Sequence, residues 1–347
     1  MMLIWLEALT PKQALLMISI KRRLEEREYN TIITTREHDY TSGIFKIWGV
    51  KPEIIGRYGG KTLKGKLKAR LRRSLKLSEI ISKLDEKPAA HISLSSPDAV
   101  TVAFGLNIPI ILLNDTPHAK HVNLLTLPLA DKIITPSAIP KEEYEEITNP
   151  MKIIQYDGVD EAAWIKEFKP NREVLEELNL TGEEKIIVMR GGETKATYYQ
   201  NMRENITKLL RTLQREDVKI IYFPRYRDEE RKIRDRYPKL IIPKNAVDTQ
   251  SLMYYASLVI TGGGTMAREG ALLGTPSIYL FPKKLYVNQW LKEKGFPIKH
   301  ITKTEEAVNY TLRIIRDPER YKVKTKKLID NLKSPTEPLI KILSEMR

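Results

Sequence analysis

Three consecutive glycines, Gly262-Gly263-Gly264, separate an apolar run at 258–261 from a helical pattern at 266–273. Glycine tolerates positive φ and lets a ligand approach the backbone closely. The first turn of a helix adds free N–H groups and a positive dipole end. We therefore predict a phosphate or diphosphate site, in which Thr265 caps the helix or donates its hydroxyl and Glu269 accepts ribose hydroxyls. The alternative is a tight strand–helix turn whose glycines serve packing alone.

A second polar segment, Asn114–His121, follows a strongly apolar run at 108–113. In an open α/β sheet, ligands gather at the carboxyl ends of strands. We predict His118 as a general acid or base, because imidazole titrates near neutral pH, with Asp115 as the second candidate. His118 and His121 would share one face of a helix, yet two histidines and one aspartate are also typical of a polar cleft wall, so we predict no metal.

A strongly basic stretch lies between Arg57 and Lys76, with nine Lys or Arg residues and no acid. Leucines recur in it every four residues, which predicts a helix that is apolar on one side and basic on the other. Such a helix can lie on an anionic membrane surface or follow a nucleic-acid backbone. It can also simply pack its leucines on the core. Of the two functional interpretations, the sequence favours the membrane surface, because no RNA-binding signature accompanies the stretch.

The elements that must position these residues alternate between short apolar runs and amphipathic stretches, which predicts parallel α/β sheets covered on both faces. Helices are predicted at 14–26, with Pro11 as an early helical residue, and at 98–105, 201–215, 228–237, 249–256 and 266–273. Strands are predicted at 2–6, 31–35, 90–94, 108–113, 132–135, 153–155, 185–189, 219–223, 240–242, 258–261 and 277–281.

The pattern restarts after residue 166, which predicts two Rossmann-like domains at 1–165 and 166–335. A C-terminal helix at 336–347 is expected to pack back on the first domain. The chain has 347 residues, no cysteine and a formal net charge of +15. The lack of cysteine excludes disulfides, Cys-ligated zinc and thiol catalysis. We expect a soluble, cytoplasmic protein with an anionic partner, peripheral to the inner membrane face if the basic stretch meets lipid, and its composition is typical of a thermophile.

A family resemblance extends over most of the chain. The segment GGTMAREGALLGTPSI resembles the C-terminal motif of the largely archaeal domain-of-unknown-function 354 family, whose members are GT-B-like. FGLNIPIILLNDTPHAKHVNLLTLPLADKIITPSAIP, FKPNREVLEELNL, FPRYRD and AVDTQSLMYYASLVI match it as well. More distantly, the chain is similar to UDP-N-acetylglucosamine 2-epimerases and MurG-type glycosyltransferases. The resemblance implies an α/β GT-B-like fold of two doubly wound domains with a cleft between them.

The resemblance also implies a nucleotide-sugar site in the second domain. Gly263, Gly264 and Thr265 would hold the diphosphate and Glu269 the ribose. Backbone near Val247 would read the base, while the turn at 190–193 would close over the phosphates. The residues assigned to this site are Gly262, Gly263, Gly264, Thr265, Met266, Glu269, Arg190, Gly191, Arg225 and Val247.

The function implied is a glycosyltransferase that takes a UDP-linked sugar as substrate and needs no separate cofactor. A lipid-linked molecule is one candidate for its acceptor. The alternatives are a UDP-sugar 2-epimerase-like enzyme and a non-catalytic protein that binds nucleic acid or a membrane surface. MurG-like enzymes carry a glycine-rich first loop with a histidine, whereas Gln13 stands in the corresponding loop here. A neutral amide is no base, so Glu7 is the substitute candidate, although it could equally cap a helix or pair with a cation.

Overall fold

The computed structural model describes residues 2–60, 62–192, 200–224 and 227–346. The chain divides into two compact units. The N-terminal unit comprises Met1–Trp164 and Leu332–Arg347, and the C-terminal unit comprises Ile165–Asn331. Among the described residues, no helix is both long enough and apolar enough to cross a membrane.

The N-terminal unit is built on a seven-stranded sheet in the order β3-β2-β1-β4-β5-β6-β7. All neighbouring strands are parallel. The strands are β1 Leu3–Ala8, β2 Asn30–Glu37, β3 Glu53–Arg57, β4 Ala90–Ser93, β5 Ile110–Leu113, β6 Lys132–Pro136 and β7 Ile153–Tyr156. The helices are α1 Pro11–Glu25, α2 Asp39–Ile47, α3 Leu63–Ile81, α4 Pro97–Gly105, α5 Lys120–Leu124 and α6 Ala162–Ile165.

The first strand and helix follow directly from the local sequence. β1 is an apolar run that is almost entirely buried, as a central parallel strand must be. Pro11 occupies the first turn of α1, where its missing N–H costs nothing. The Thr10 side-chain oxygen caps the helix by accepting from the Gln13 backbone N–H. β1 pairs with β2 on one side and β4 on the other, so the strand order reverses between β1 and β4. This is the switch point where polar groups collect in such sheets.

The C-terminal unit has a five-stranded parallel sheet in the order β12-β11-β10-β8-β9. Its strands are β8 Ile186–Arg190, β9 Lys219–Phe223, β10 Leu258–Thr261, β11 Ser277–Tyr279 and β12 Ile298–His300. Its helices are α7 Glu173–Glu177, α8 Gln200–Leu213, α9 Arg227–Arg236, α10 Thr249–Tyr255, α11 Thr265–Leu272, α12 Tyr286–Glu293, α13 Thr304–Arg316 and α14 Lys326–Asp330. The strand predicted at 240–242 is wrong: only Ile241 bridges to the sheet, at Ile221.

The chain returns to the N-terminal unit at its end. The Lys333 amide donates to the Asp157 carbonyl at 2.9 Å, and Lys333 bridges in parallel to Gly158. A β-carbon on Gly158 would lie 1.9 Å from the Lys333 carbonyl oxygen, so only glycine fits at this crossing. The last helix, α15 Thr336–Glu345, contacts α1 and buries an apolar face.

Candidate functional site

The glycine turn lies at the carboxyl edge of the C-terminal sheet. Thr261 of β10 is in register with Arg190 of β8, so the loops after both strands leave from the same edge. The Gly262 amide donates to the Arg190 carbonyl at 3.2 Å, and the Thr261 hydroxyl donates to the Gly263 carbonyl. α11 begins at Thr265, and its cap is Gly264 with no side-chain cap bond. The predicted capping role of Thr265 is therefore wrong, because Thr265 is already inside the helix.

A left-handed backbone is not what requires glycine in this turn, because none of the three glycines has a positive φ. A β-carbon on Gly264 would lie 2.6 Å from Leu285 Cδ1 and 2.9 Å from an Arg268 guanidinium nitrogen, whereas one on Gly263 would meet open space. Gly264 therefore permits close packing, while Gly263 leaves the N-terminal end of α11 accessible.

Glu269 is held in place by a residue that sequence reasoning missed. The Glu269 side chain is buried, and its Oε1 accepts from Gln250 Nε2 at 3.0 Å. Gln250 lies in the first turn of α10, which Asp248 caps through the Ser251 amide at 3.0 Å. The local sequence, Asp248-Thr249-Gln250-Ser251, predicts a capped helix but does not single out Gln250. The amide fixes the orientation of a carboxylate that sits one turn into α11.

Beside the turn lies a second pair of residues that the sequence did not predict, Arg268 and Asn288. Arg268 is buried, and its Nη1 donates to Asn288 Oδ1 at 3.0 Å. Asn288 is 1% exposed, and within the described part of the chain its Nδ2 has no hydrogen-bond partner. A buried donor left unsatisfied costs about 1–3 kcal/mol. The oxygen of a bound anion would supply the missing acceptor.

The remaining residues assigned to this site differ in what they offer. Arg190 Nη1 lies 3.6 Å from Met266 Sδ, so its guanidinium sits against the first turn of α11. Gly191 is needed for room, because a β-carbon would lie 2.6 Å from the Tyr222 hydroxyl. The Val247 and Met266 side chains belong to the core, which leaves only their backbone for a ligand. Arg225 and residues 193–199 lie outside the described residues.

In the N-terminal unit, Glu7 is enclosed by an ion-pair cluster. Arg73 Nη1 lies 2.7 Å from Glu7 Oε1 and 3.4 Å from Asp98 Oδ2, and Arg73 Nη2 donates to Glu7 Oε2 at 3.1 Å. The Thr34 hydroxyl also donates to Glu7. Burial opposes the charge of Arg73, but Glu7 and Asp98 outweigh it and raise the pKa of the guanidinium. A carboxylate engaged in this way is poorly suited to take a proton from a substrate. We call Arg73, Glu7 and Asp98 the Arg73 cluster.

Asp115 belongs to another buried group, the Lys12 cluster of Lys12, Asp115, Asp160 and Glu161. Lys12 Nζ lies 2.5 Å from Asp115, 2.7 Å from Asp160 and 3.7 Å from Glu161. Burial raises the pKa of Asp160, against the lowering effect of Lys12. Lys12 lies at the start of α1 and Asp160 lies after β7, 148 residues away in the chain. Local sequence patterns therefore did not predict that they meet. Its geometry fits a polar core more closely than an open acid or base.

His118 is exposed, in a turn before α5, whereas His121 lies inside that helix. The two histidines therefore do not share a helical face. Beneath them Asn114 Nδ2 donates to Asn123 Oδ1 at 2.9 Å, and Asn114 Oδ1 accepts from the Tyr144 hydroxyl at 3.0 Å. Across the described ranges, no group of three or more His, Asp or Glu side chains is placed to hold a metal ion.

A family model described as "Protein of unknown function (DUF354)" matches residues 2–345. The chain belongs to the DUF354 family. A curated relative of this DUF354 protein is an uncharacterized protein of Methanocaldococcus jannaschii, 32% identical over 314 residues that cover 88% of this chain and 90% of the relative. The predicted family is thus confirmed, and it has an archaeal member.

Two solved structures show what the DUF354 fold is similar to. The UDP-GlcNAc 2-epimerase of M. jannaschii, in complex with UDP-GlcNAc and UDP, matches with a TM-score of 0.74 and 17% identity, over 99% of this chain and 100% of the epimerase. HepE of Anabaena, in complex with UDP and glucose, matches with a TM-score of 0.66 and 14% identity, over 99% of this chain and 100% of HepE. The predicted GT-B-like class, with two parallel α/β sheets, is confirmed.

Proposed function

We propose that this DUF354 protein binds a UDP-linked sugar at the turn between β10 and α11 and transfers the sugar to an acceptor hydroxyl. The observation that carries the proposal is the accessible end of α11 behind Gly263, one turn before a buried carboxylate that Gln250 holds. A helix N-terminus attracts phosphate, and a fixed carboxylate can accept two ribose hydroxyls. The bound UDP of the structural neighbours supports the same ligand class.

The charges near the turn suit the departure of a nucleoside diphosphate. During transfer, the bond from the anomeric carbon to the diphosphate oxygen breaks, and negative charge grows on that oxygen. The dipole of α11, the Arg190 guanidinium and the unsatisfied Asn288 amide would stabilise this charge. Arg268 would act on it indirectly, by orienting Asn288.

On the acceptor side, we propose His118 as the group that takes the hydroxyl proton, because its side chain is exposed and imidazole is the side chain that most often serves as a general base. Glu7 and Asp115 would act as structural ion-pair partners, since both carboxylates are buried against cations. No separate cofactor enters the proposed reaction. A lipid-linked acceptor would place the enzyme at a membrane surface.

The second candidate is a UDP-sugar 2-epimerase, which the fold of the neighbours favours. Epimerisation needs acid and base groups that remove and return a proton and assist departure of UDP. At the carboxyl end of β5 the described chain instead offers paired amides, Asn114 and Asn123, and an Asp115 carboxylate that Lys12 holds. The Asp115 carboxylate that epimerisation would draw on at this strand end is engaged in an ion pair, and this is why transfer is the first proposal.

The first test is calorimetric titration with UDP, UDP-GlcNAc, GDP and dTDP. We expect the UDP ligands to bind and to raise the melting temperature, since a ligand at a hundred times its Kd stabilises a protein by roughly 2.7 kcal/mol. Glu269→Gln should weaken UDP binding, whereas Glu216→Gln, an exposed control in the same unit, should not. Failure of all nucleotides to bind would refute the proposal, and unchanged binding by Glu269→Gln would refute the ribose role.

The second test separates the two activities. UDP-GlcNAc is incubated with the protein without acceptor and followed by proton NMR in D2O. Formation of the 2-epimer with deuterium at C2 would support the epimerase and overturn transfer.

A third test concerns Asn288. Asn288→Ala should weaken the binding of UDP more than that of uridine if the Asn288 Nδ2 contacts a phosphate, and equal losses of affinity would contradict that contact.

A further inference from the structure

The long helix α3 exposes a ridge of leucines instead of burying it. Leu63, Leu67, Leu71 and Leu75 are 85%, 55%, 61% and 63% exposed. We call these four residues the leucine ridge. The buried residues of α3 are Arg73, Leu77 and Ile81, on another side of the helix. Single exposed leucines are ordinary on protein surfaces, but four in one row form an apolar strip that marks an interaction surface.

Cations border the leucine ridge along both sides. The next row of the helix, one residue further along at each step, is basic throughout: Lys64, Lys68, Arg72 and Lys76. Lys66 lies on the opposite side of the ridge, as does Arg70, whose guanidinium already contacts Asp98 at 3.7 Å and Thr101 at 3.5 Å. Glu79 is the first acid in the helix. An apolar strip framed by cations matches a surface in which hydrocarbon lies beneath a layer of negative charge.

The helix is fixed in this orientation before any partner binds. Arg73 Nε donates to the Ile55 carbonyl at 2.8 Å, and the same side chain enters the Arg73 cluster. Leu77 and Ile81 anchor the second half of the helix in the core. The leucine ridge is consequently presented as a preformed surface, which avoids the ordering cost of a segment that folds on binding.

We propose that α3 docks the protein onto an anionic lipid bilayer, with the helix axis in the membrane plane. The leucines of the ridge would enter the boundary between headgroups and acyl chains. The lysine and arginine side chains would extend from the helix to lipid phosphates on either side. Phe104, on the neighbouring helix α4, is 61% exposed as well.

The charge pattern separates this partner from two others. A second copy of the chain, packed ridge to ridge, would bring two rows of cations together without acids between them. Nucleic acid would satisfy the cations but leave the leucines in water, since phosphates lie at its surface. Of these three partners, the anionic bilayer alone offers both an apolar interior and negative charge to the same helix face.

The test is flotation of the full-length protein with vesicles of phosphatidylcholine alone or mixed with phosphatidylglycerol. We expect binding to the mixed vesicles only. Replacing Leu67, Leu71 and Leu75 together by Gln should weaken it at least ~tenfold, because the apolar contact is lost. Replacing Lys64, Lys68 and Arg72 by Gln should weaken it roughly a hundredfold. As the matched control, replacing exposed Lys292, Lys326 and Lys327 by Gln removes the same charge and should leave binding unchanged.

Four outcomes would overturn the proposal: no vesicle binding, equal binding to both vesicle types, full binding by the leucine variant, or a wild-type dimer that the leucine variant abolishes. A gel-shift with single-stranded RNA that the leucine variant retains, together with no vesicle binding, would assign the helix to nucleic acid. Far-UV circular dichroism confirms that the variants are folded, as expected for exposed positions. UDP binding by each variant is measured in parallel, so that failure of the lipid proposal and of the nucleotide proposal are distinguishable.

Discussion

Replacing Arg73 by Met should destabilise the N-terminal unit strongly. The Arg73 side chain is 2% exposed, and its guanidinium faces Glu7, which is fully buried, and Asp98. Met keeps much of the volume but removes the charge, so a buried carboxylate loses its bidentate partner and the Ile55 carbonyl loses a donor. Breaking a buried pair from one side costs about 3–5 kcal/mol. Met at the neighbouring exposed Arg72 should change the free energy of unfolding by no more than about 0.5 kcal/mol.

The assay is urea unfolding at neutral pH, followed by tryptophan fluorescence. Trp5 reports on this region, because its Nε1 donates to the Thr34 hydroxyl, which in turn donates to Glu7. In the double variant with Glu7→Gln, the loss should be smaller than the sum of the two single losses by at least about 1 kcal/mol. A loss below about 1 kcal/mol for Arg73→Met, or additive single losses, would refute the assignment of Glu7 to a structural pair.

Three further predictions concern buried positions. Burial lowers the pKa of His91 to about 3, so the unfolded chain binds a proton first as the pH falls below 6.5. The free energy of unfolding should then fall by about 1.4 kcal/mol per pH unit, and His91→Gln should show a shallower slope in urea titrations across this range. Lys12→Met removes the cation shared by three acids and should lower the melting temperature more at about pH 7.5 than at about pH 5, because burial already raises the pKa of Asp160. Gly274→Ala should lower the free energy of unfolding by at least about 2 kcal/mol, because φ is +87° and the new β-carbon would lie 2.2 Å from the Val323 carbonyl oxygen. At Gly105 a β-carbon meets open space, so Gly105→Ala should leave the free energy of unfolding unchanged.

Sequence periodicity predicted most of the sheet framework, because central parallel strands are continuous apolar runs. The strands at 219–223 and 258–261 have the predicted bounds. The run at 240–242 failed as a strand because only Ile241 reaches the sheet, beside Ile221. Three apolar residues are too few to tell a strand from a buried loop.

The helix at 63–81 shows why the pattern alone did not assign its faces. Leucines at intervals of four predicted an apolar side, but the structure buries Arg73 and exposes the leucine ridge. The buried cation is stabilised by Glu7, 66 residues away in the chain. Local hydrophobicity cannot register a charge that is neutralised by so distant a partner.

The residues of the candidate site were also predicted only in part, and again those with distant partners were the ones not predicted. The glycine turn and Glu269 were predicted because they lie within eight residues of one another in a strand–turn–helix pattern. Gln250 and Asn288 were not, because each reaches the turn from a separate helix about 20 residues from its partner in the chain. Asp115 was identified correctly as a residue at a strand end, but its pairing with Lys12 spans 103 residues and depends on the tertiary fold.

The return of the C-terminal segment has a consequence for synthesis of the chain. α1 is translated well before α15, which packs on it and is made more than 300 residues later. All of Ile165–Asn331 is translated in between and can close around its own five strands. The N-terminal unit is therefore begun before the C-terminal unit but completed after it. Until α15 is made, the α1 surface that it contacts stays open to chaperones.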